Sequence, residues 1–374
     1  MERIGRRGAV VFLSLLVAVV AGCAHVPVRM APPDAPHSIV LMIGDGMGVA
    51  HVTGARIAAG RLEMERLPVG GLESTWSADR LVTDSAASGT AFATGSKTLN
   101  GTVSMSPEGE PLRTVLECAE DRGMATGLVV TCSVTHATPA VFASHVAGRE
   151  DDLEIARQIA ESGVDVLFGG GRSYFLPRGE SRGARTDGLN LLDSLRARMP
   201  VALSADEFRK LGRVERAAAL LADEHPGPVA DRDPDLRELT EKALEILSGD
   251  EDGFFLMVEG SQIDWAGHEN EYDAIVDETL DFDRAVGAVM DFAERDGRTL
   301  VIVTADHETG GLSLLDGSLE RRAVTEPDFA CGNHTAAMTP LLAYGPGSAA
   351  FGGIGDNAVV GRRLIDLVTA RPLP

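Results

Sequence analysis

Carboxylates and imidazoles in this chain follow short apolar runs. After Ser38–Ile43 comes Gly44-Asp45-Gly46-Met47-Gly48. After Thr126–Val130 come His136 and Thr138. Phe254–Val258 leads into Glu259, Asp264, Trp265 and His268, and Thr299–Thr304 into Asp306 and His307. Such groups are metal ligands in type, and like charges gathered at one place call for cations. Asp264 and His268 stand four residues apart, so one helical turn puts both on one face. His334 sits in a Gly332-Asn-His-Thr loop. Ser85 follows Asp84 at the start of a run of small residues. Its ordinary role there is to begin a helix. A helix N-terminus also favours anions, and a cation on the Ser85 oxygen would make it an alkoxide nucleophile. Taken singly, each of these motifs also has an ordinary structural reading.

The apolar runs must be the strands that carry these groups. Further strand candidates are Val164–Phe168 and Pro340–Ala343. Helical patterns fall at Leu153–Ser162, Leu236–Ser248, Tyr272–Glu294 and Asn357–Thr369, with Gly163, Gly249 and Gly297 at expected C-caps. Strands alternating with helices predict an α/β fold: a doubly wound, mainly parallel central sheet flanked by helices on both faces. In such sheets the site forms beyond the carboxyl ends of the strands. Residues 38–374 read as one domain, with 172–234 a less regular excursion from the sheet.

Several chemistries are excluded. GDGMGV lacks the third glycine of a dinucleotide loop, and its acid would repel a pyrophosphate. Asp231-x-Asp233-x-Asp235 has Leu236 where a calcium loop needs glycine. Neither a HExxH nor a GxSxG motif occurs. Acidic residues number 56 against 34 basic ones, a net charge of −22, which excludes nucleic-acid binding. Lysine occurs only at 97, 210 and 242, which fits either a salty habitat or codon bias. Cys118, Cys132 and Cys331 show no CxxC spacing, so metal binding through thiolate is not expected. Cys118 and Cys132 read as buried thiols, with pairing between them left open. His51, His145 and His225 have no partner motif and read as structural or surface residues.

The N-terminus carries an address. Arg3, Arg6 and Arg7 precede the apolar run Ala9–Ala21, too short to span a bilayer comfortably. Val20-Ala21-Gly22-Cys23 resembles the lipobox of bacterial lipoproteins, in which the cysteine is acylated. Residues 1–22 then form a lipoprotein signal peptide and 23–37 a proline-rich tether. Ala24, rather than Asp, after the cysteine favours the outer membrane, so the expected place is the cell envelope.

In order, IGDGMG, TDSAASGTA, HATPAVFASHVAGR, FFLMVEGSQIDWAGH, TADHETGG and GNHT resemble the alkaline phosphatase family, from about residue 38 to the C-terminus. The resemblance implies phosphate monoester hydrolysis through a phosphoserine on Ser85, with a broad substrate range. It implies two zinc ions and one magnesium ion. Asp264, His268 and His334 match the ligands of the first zinc, and Asp45, Asp306 and His307 those of the second. Thr138 and Glu259, with Asp45 bridging, match the magnesium site. Arg149 matches the phosphate clamp, oriented by Asp84, and inorganic phosphate is the expected product inhibitor. The best-studied bacterial members have Asp in place of His136 and Lys in place of Trp265. Imidazole is the softer ligand, so magnesium should be weak and exchangeable and zinc acceptable at that position. Trp265 can wall the site but cannot hold phosphate. A phosphodiesterase of the same superfamily, or a non-catalytic surface lipoprotein, are the alternatives. A homodimer is left open.

The lipobox reading has a direct check. Cys23→Ser should abolish fatty-acid incorporation and release an otherwise active protein from the membrane fraction. Wild-type protein that incorporates no labelled fatty acid would show the anchor to be wrong.

Overall fold

The structure, a computed structural model, describes residues 35–369. The signal peptide, Cys23 and most of the tether lie outside the described residues. None of the described helices is long and apolar enough to cross a membrane.

Fourteen strands are described: β1 (Ser38–Gly44), β2 (Val69–Ser74), β3 (Ala125–Ser133), β4 (Val166–Gly170), β5 (Val201–Ala202), β6 (Ala217–Leu220), β7 (Phe254–Gly260), β8 (Thr299–Thr304), β9 (Glu308–Thr309), β10 (Leu312–Ser318), β11 (Ala323–Phe329), β12 (His334–Thr335), β13 (Thr339–Tyr344) and β14 (Gly353–Asp356). Ten form one sheet in the order β14-β2-β13-β8-β1-β7-β3-β4-β6-β5. Every pairing in it is parallel except those of β13, which runs antiparallel to β8 and β2. The fold is the expected α/β sheet, with β1 at its centre.

Alternation along the central strands sends side chains into two cores, as a period of two requires. Ile39, Leu41 and Ile43 of β1 enter one core, with Phe255 and Met257 of β7 and Leu128 and Val130 of β3. Val40 and Met42 enter the other, with Leu256, Val258 and Val129. Helices Ser85–Thr94, Ala137–Ala143 and Asn357–Thr369 cover the first face; Val49–Ala59, Leu236–Leu247 and Tyr272–Asp296 cover the second. Burial on both faces is why these strands read as unbroken apolar runs.

Two expectations need correction. Residues 172–234 are not wholly outside the sheet, because β6 and β5 extend its edge beyond β4. Alanine-rich Ala217–Leu220 lacks the β-branched signature of a strand but is fully buried. Of the three glycines placed at helix ends, Gly297 takes the left-handed C-cap conformation, at φ 70°. At the other two helix ends the cap residues are Ser162 and Ser248. Cys118, Cys132 and Cys331 are all free, and Cys118 and Cys132 are the buried thiols expected.

Candidate active site

The carboxyl ends of β1, β3, β7 and β8 are neighbours, and their sequels converge. Gly46 makes the turn after β1 at φ +71°, where an added Cβ would lie 2.8 Å from the Asp264 backbone. Its amide donates to Asp306 Oδ1 at 3.1 Å. The His307 amide donates to the same oxygen at 3.0 Å. This leaves Asp306 Oδ2 and both oxygens of Asp45 buried and without hydrogen bonds.

Ser85 begins the helix Ser85–Thr94 and is buried. Its Oγ lies 3.3 Å from His307 Nε2. The N-cap is Asp84, not Ser85: Asp84 Oδ1 accepts from the Ala87 amide at 3.0 Å. Asp84 Oδ2 accepts from Arg149 Nη1 at 3.0 Å and from the Gly101 amide at 3.0 Å. Relieved of capping, the Ser85 hydroxyl is free to face the site. The Arg149 amide donates to Gly101 O at 2.8 Å, fixing the base of that side chain.

Two ligand-like groups share His307. Asp264, His307 and His334 form one; Asp45, Asp306 and His307 form the other. His307 and His334 stack with ring centroids 3.5 Å apart. Helix Gln262–Glu269 places Asp264 and His268 on one face, as their spacing predicted, with His268 Nε2 3.3 Å from Asp264 Oδ2. His268 Nε2 also lies 3.1 Å from His334 Nε2. Second contacts orient the rings: His268 Nδ1 meets Gly332 O at 2.9 Å, and His334 Nδ1 meets Thr83 O at 2.9 Å. Such contacts on the far nitrogen are what metal-ligating histidines use. Thr309 was not identified from sequence, yet its hydroxyl donates to Asp264 and lies 3.2 Å from His307 Nδ1.

A third group gathers Cys132, His136 and Glu259. Thr138 Oγ1, Glu259 Oε1 and His136 Nδ1 are buried without hydrogen-bond partners. Arg149 Nη2 lies 3.2 Å from His136 Nε2. Trp265 and His225 pack edge to face, 4.7 Å apart, and His136 stands about 6 Å from each (6.1 Å and 6.0 Å). His225, read as structural, therefore lines the outer wall of this group. Its loop comes from the 172–234 segment, so no adjacent motif could have flagged it. His51 and His145 do keep structural roles. His51 Nδ1 accepts from the Gly48 amide, and His145 bridges Ser104 O and Glu117.

The electrostatics are those of an uncompensated ligand set. Burial, then Asp306, Asp264 and Glu259, push the Asp45 carboxyl well above its ordinary range. Burial raises Glu259 to about 7, and burial with the Asp264 charge raises Asp306 to about 6. Burial lowers His307 well below its usual value and His136 to about 3. Hydrogen bonding to Asp264 lifts His268 to about 9. A divalent cation would reverse the upward shifts of these carboxyls and would favour the neutral imidazoles of His307 and His136. The orphaned oxygens of Asp45, Asp306 and Glu259 and the upward shifts of these carboxyls fit cations there. Asp264 differs: although burial opposes it, hydrogen bonds from His268 and His334 hold its carboxyl well below the usual range.

The sequence model of the family described as alkaline phosphatase matches residues 37–325. The chain belongs to the alkaline phosphatase family. It is 37% identical to streptomycin-6-phosphate phosphatase of Streptomyces griseus, over 94% of this chain and 95% of that one. It is 31% identical to the alkaline phosphatase of Escherichia coli, over 86% of this chain and 83% of that one. The alkaline phosphatase of the Antarctic bacterium TAB5 superposes with a TM-score of 0.82 at 36% identity, over 90% of this chain and 99% of that one. A histidine-to-aspartate mutant of the TAB5 enzyme, with magnesium bound in its M3 site, superposes at 0.81. Membership makes this protein a phosphomonoester hydrolase, and the family implies metal ions.

Asp84 ties helix start, Gly101 turn and guanidinium together, which can be measured. Asp84→Ala should cost about 1–2 kcal/mol through the lost cap alone. Asp84→Asn keeps an acceptor and should recover most of that loss. Urea midpoints of the two variants check this; equal midpoints for wild type and Asp84→Ala would refute the capping role.

Proposed function

We propose that this alkaline phosphatase transfers the phosphoryl group of a monoester to Ser85 and then to water, with broad tolerance for the alcohol. The observation that carries this reading is Ser85 itself. It is a buried hydroxyl at a helix start, released from capping by Asp84 and 3.3 Å from His307.

Two zinc ions are the cations we assign to the paired groups. Asp264, His268 and His334 would hold one, and Asp45, Asp306 and His307, with Ser85, the other. Glu259, Thr138 and His136, with Asp45 alongside, would hold a third divalent cation. Such ions, when bound, supply Lewis acidity that lowers the pKa of the Ser85 hydroxyl and neutralises charge on the phosphoryl group. The chain's own residues do the rest. The Ser85 hydroxyl gives its proton to solvent as Oγ attacks phosphorus; the bond from phosphorus to the substrate oxygen breaks, and the departing alkoxide takes a proton from solvent, leaving phosphoserine. The positive end of the helix Ser85–Thr94 faces the phosphoryl oxygens. Arg149 uses its planar fork to hold two non-bridging oxygens, and Asp84 keeps that fork aimed. Water then attacks the phosphoserine, returning the Ser85 hydroxyl and freeing inorganic phosphate. Trp265 and His225 form an uncharged wall that gives phosphate no further salt bridge. Outside this centre the site opens onto a shallow cleft lined by Arg80, Leu81, Val82 and Asn100. Little there grips the alcohol, which supports breadth. We assign the protein to the envelope, tethered through Cys23, and expect phosphate to inhibit as product.

Two substitutions test the assignment. Ser85→Ala should retain the bound cations and form no phosphoenzyme when quenched with labelled substrate. Label trapped on any other residue would overturn the role of Ser85. Arg149→Ala should raise KM and the phosphate inhibition constant about tenfold to a hundredfold, equivalent to about 1.5–3 kcal/mol for a charge-assisted contact. An inhibition constant within twofold of wild type would remove Arg149 from the phosphate site.

A further inference from the structure

The third cation position contains a group that its hard-ion assignment does not use. Cys132 lies at the end of β3, and Glu259 near the end of the adjacent β7. Val130 of β3 is in register with Glu259. Cys132 is two residues beyond Val130, on the same face of the sheet, so it is the diagonal neighbour of Glu259. The parity is visible in the cores: Leu128, Val130 and Cys132 share one, with Phe255 and Met257 of β7. Cys132 Sγ is 3.5 Å from Glu259 Oε2 and 3.2 Å from Ser133 O. The thiol is fully buried, as is the Glu259 carboxyl. One ligand atom from each of Cys132, His136 and Glu259 can be chosen so that all lie within 4.8 Å of one another.

A buried thiol beside a carboxylate is ordinary when both are satisfied. Here they are surrounded by groups that are not. Glu259 Oε1, Thr138 Oγ1, His136 Nδ1 and both oxygens of Asp45 are buried and accept or donate no hydrogen bond. The unpaired atoms offer oxygen and nitrogen, and the thiol adds sulfur. A Cys-His-Glu set has the donor types of zinc sites. Magnesium prefers an all-oxygen shell that keeps several waters, whereas thiolate and imidazole favour zinc and cobalt.

We propose that Cys132 is a ligand of the third cation, making that position a thiolate-imidazole-carboxylate site that takes zinc in preference to magnesium. Binding exchanges the thiol proton, released to buffer, for the cation. The hydrogen bonds from Sγ to Glu259 and Ser133 are given up in the same step. The inference rests on the three-cation reading of the site, and its test separates the two.

The test uses the full-length enzyme with zinc replaced by cobalt(II), alongside Cys132→Ser and, as a control, Cys331→Ser. Wild type should show a thiolate-to-cobalt charge-transfer band in the near ultraviolet. Cys331→Ser should keep it. Cys132→Ser should lose it together with one equivalent of bound cobalt, and should gain magnesium affinity. Zinc-edge X-ray absorption on wild type needs no variant and covers the case in which Cys132→Ser does not fold. It should report sulfur at about 2.3 Å, beside nitrogen and oxygen at about 2.0–2.2 Å. A spectrum with nitrogen and oxygen alone, or a cobalt band that survives Cys132→Ser, overturns the proposal. If cobalt still binds in those cases, the three-cation reading stands without the thiol. If the enzyme binds no divalent ion at all, both fall.

Discussion

Repulsion between buried carboxylates is the constraint on which this structure turns. Asp45, Glu259, Asp264 and Asp306 are all at most 5% exposed and meet at one end of the sheet. Two like unit charges 4 Å apart cost about 4 kcal/mol at an effective dielectric near 20, and burial adds a desolvation penalty for each ion. The cationic groups nearby are already engaged: Arg149 is paired with Asp84, and His268 with Asp264. Burial first, and repulsion second, push Asp45, Glu259 and Asp306 upward, and protonation would relieve part of the strain; Asp264, hydrogen-bonded to His268 and His334, is instead held low. Divalent cations relieve it more completely. A site that stores repulsion in this form is a set of carboxylates ready for cations, as its family implies.

Holding such a set together requires a rigid frame, and the sheet supplies it. β1 is hydrogen-bonded to β7 on one side and β8 on the other, so Asp45, Glu259 and Asp306 inherit fixed register. Each strand is packed on both faces, which leaves little room for the carboxyl ends to drift apart. Short pairings beyond the main sheet complete the frame. β9 pairs with β12, placing His334 opposite Thr309 and thus beside His307 and Asp264. Deeper still, Ser88 donates to the Asp306 carbonyl at 2.6 Å, and Asn357 Nδ2 donates to Ser88 Oγ at 2.8 Å. Through Ser88, the helix Asn357–Thr369 thereby supports the position of Asp306.

Much of this was legible in the residues because the strands that carry the ligands are buried on both sides. Thr299–Thr304 reads as six apolar or β-branched residues and forms a strand over that same span. Asp264 and His268 were legible as a pair because the helix period is local. What escaped was non-local. Val69–Ser74 carries two glycines and becomes a strand through its pairing with β13 and β14. The hairpin of β10 and β11 is largely exposed and has no apolar run to reveal it. His225 reaches the site on a loop from the far edge of the sheet. Cys132 has no CxxC spacing to draw attention to it, yet its neighbour is Glu259, on another strand. The clue was parity: Leu128, Val130 and Cys132 alternate in step with Phe255, Met257 and Glu259, and only the register of the two strands makes that alignment meaningful.

His136 joins the third position to the phosphate clamp, and hydrogen-bond chemistry fixes how. Arginine carries donors and no acceptor. The contact at 3.2 Å therefore requires His136 Nε2 to accept from Arg149. In a neutral imidazole the proton then sits on Nδ1, which is buried and finds no acceptor. Ligation of a cation by either nitrogen is incompatible with this arrangement. At Nε2 the cation takes the lone pair that Arg149 uses. At Nδ1 the proton must leave, and the neutral ring then carries it on Nε2, donor facing donor. In both cases Arg149 gives up His136 while keeping Asp84, and one edge of its fork is released toward the phosphate it is proposed to hold. Were His136 to ligate a cation at the third position, that loading and the proposed engagement of phosphate by Arg149 would be coupled through the contact the two side chains share.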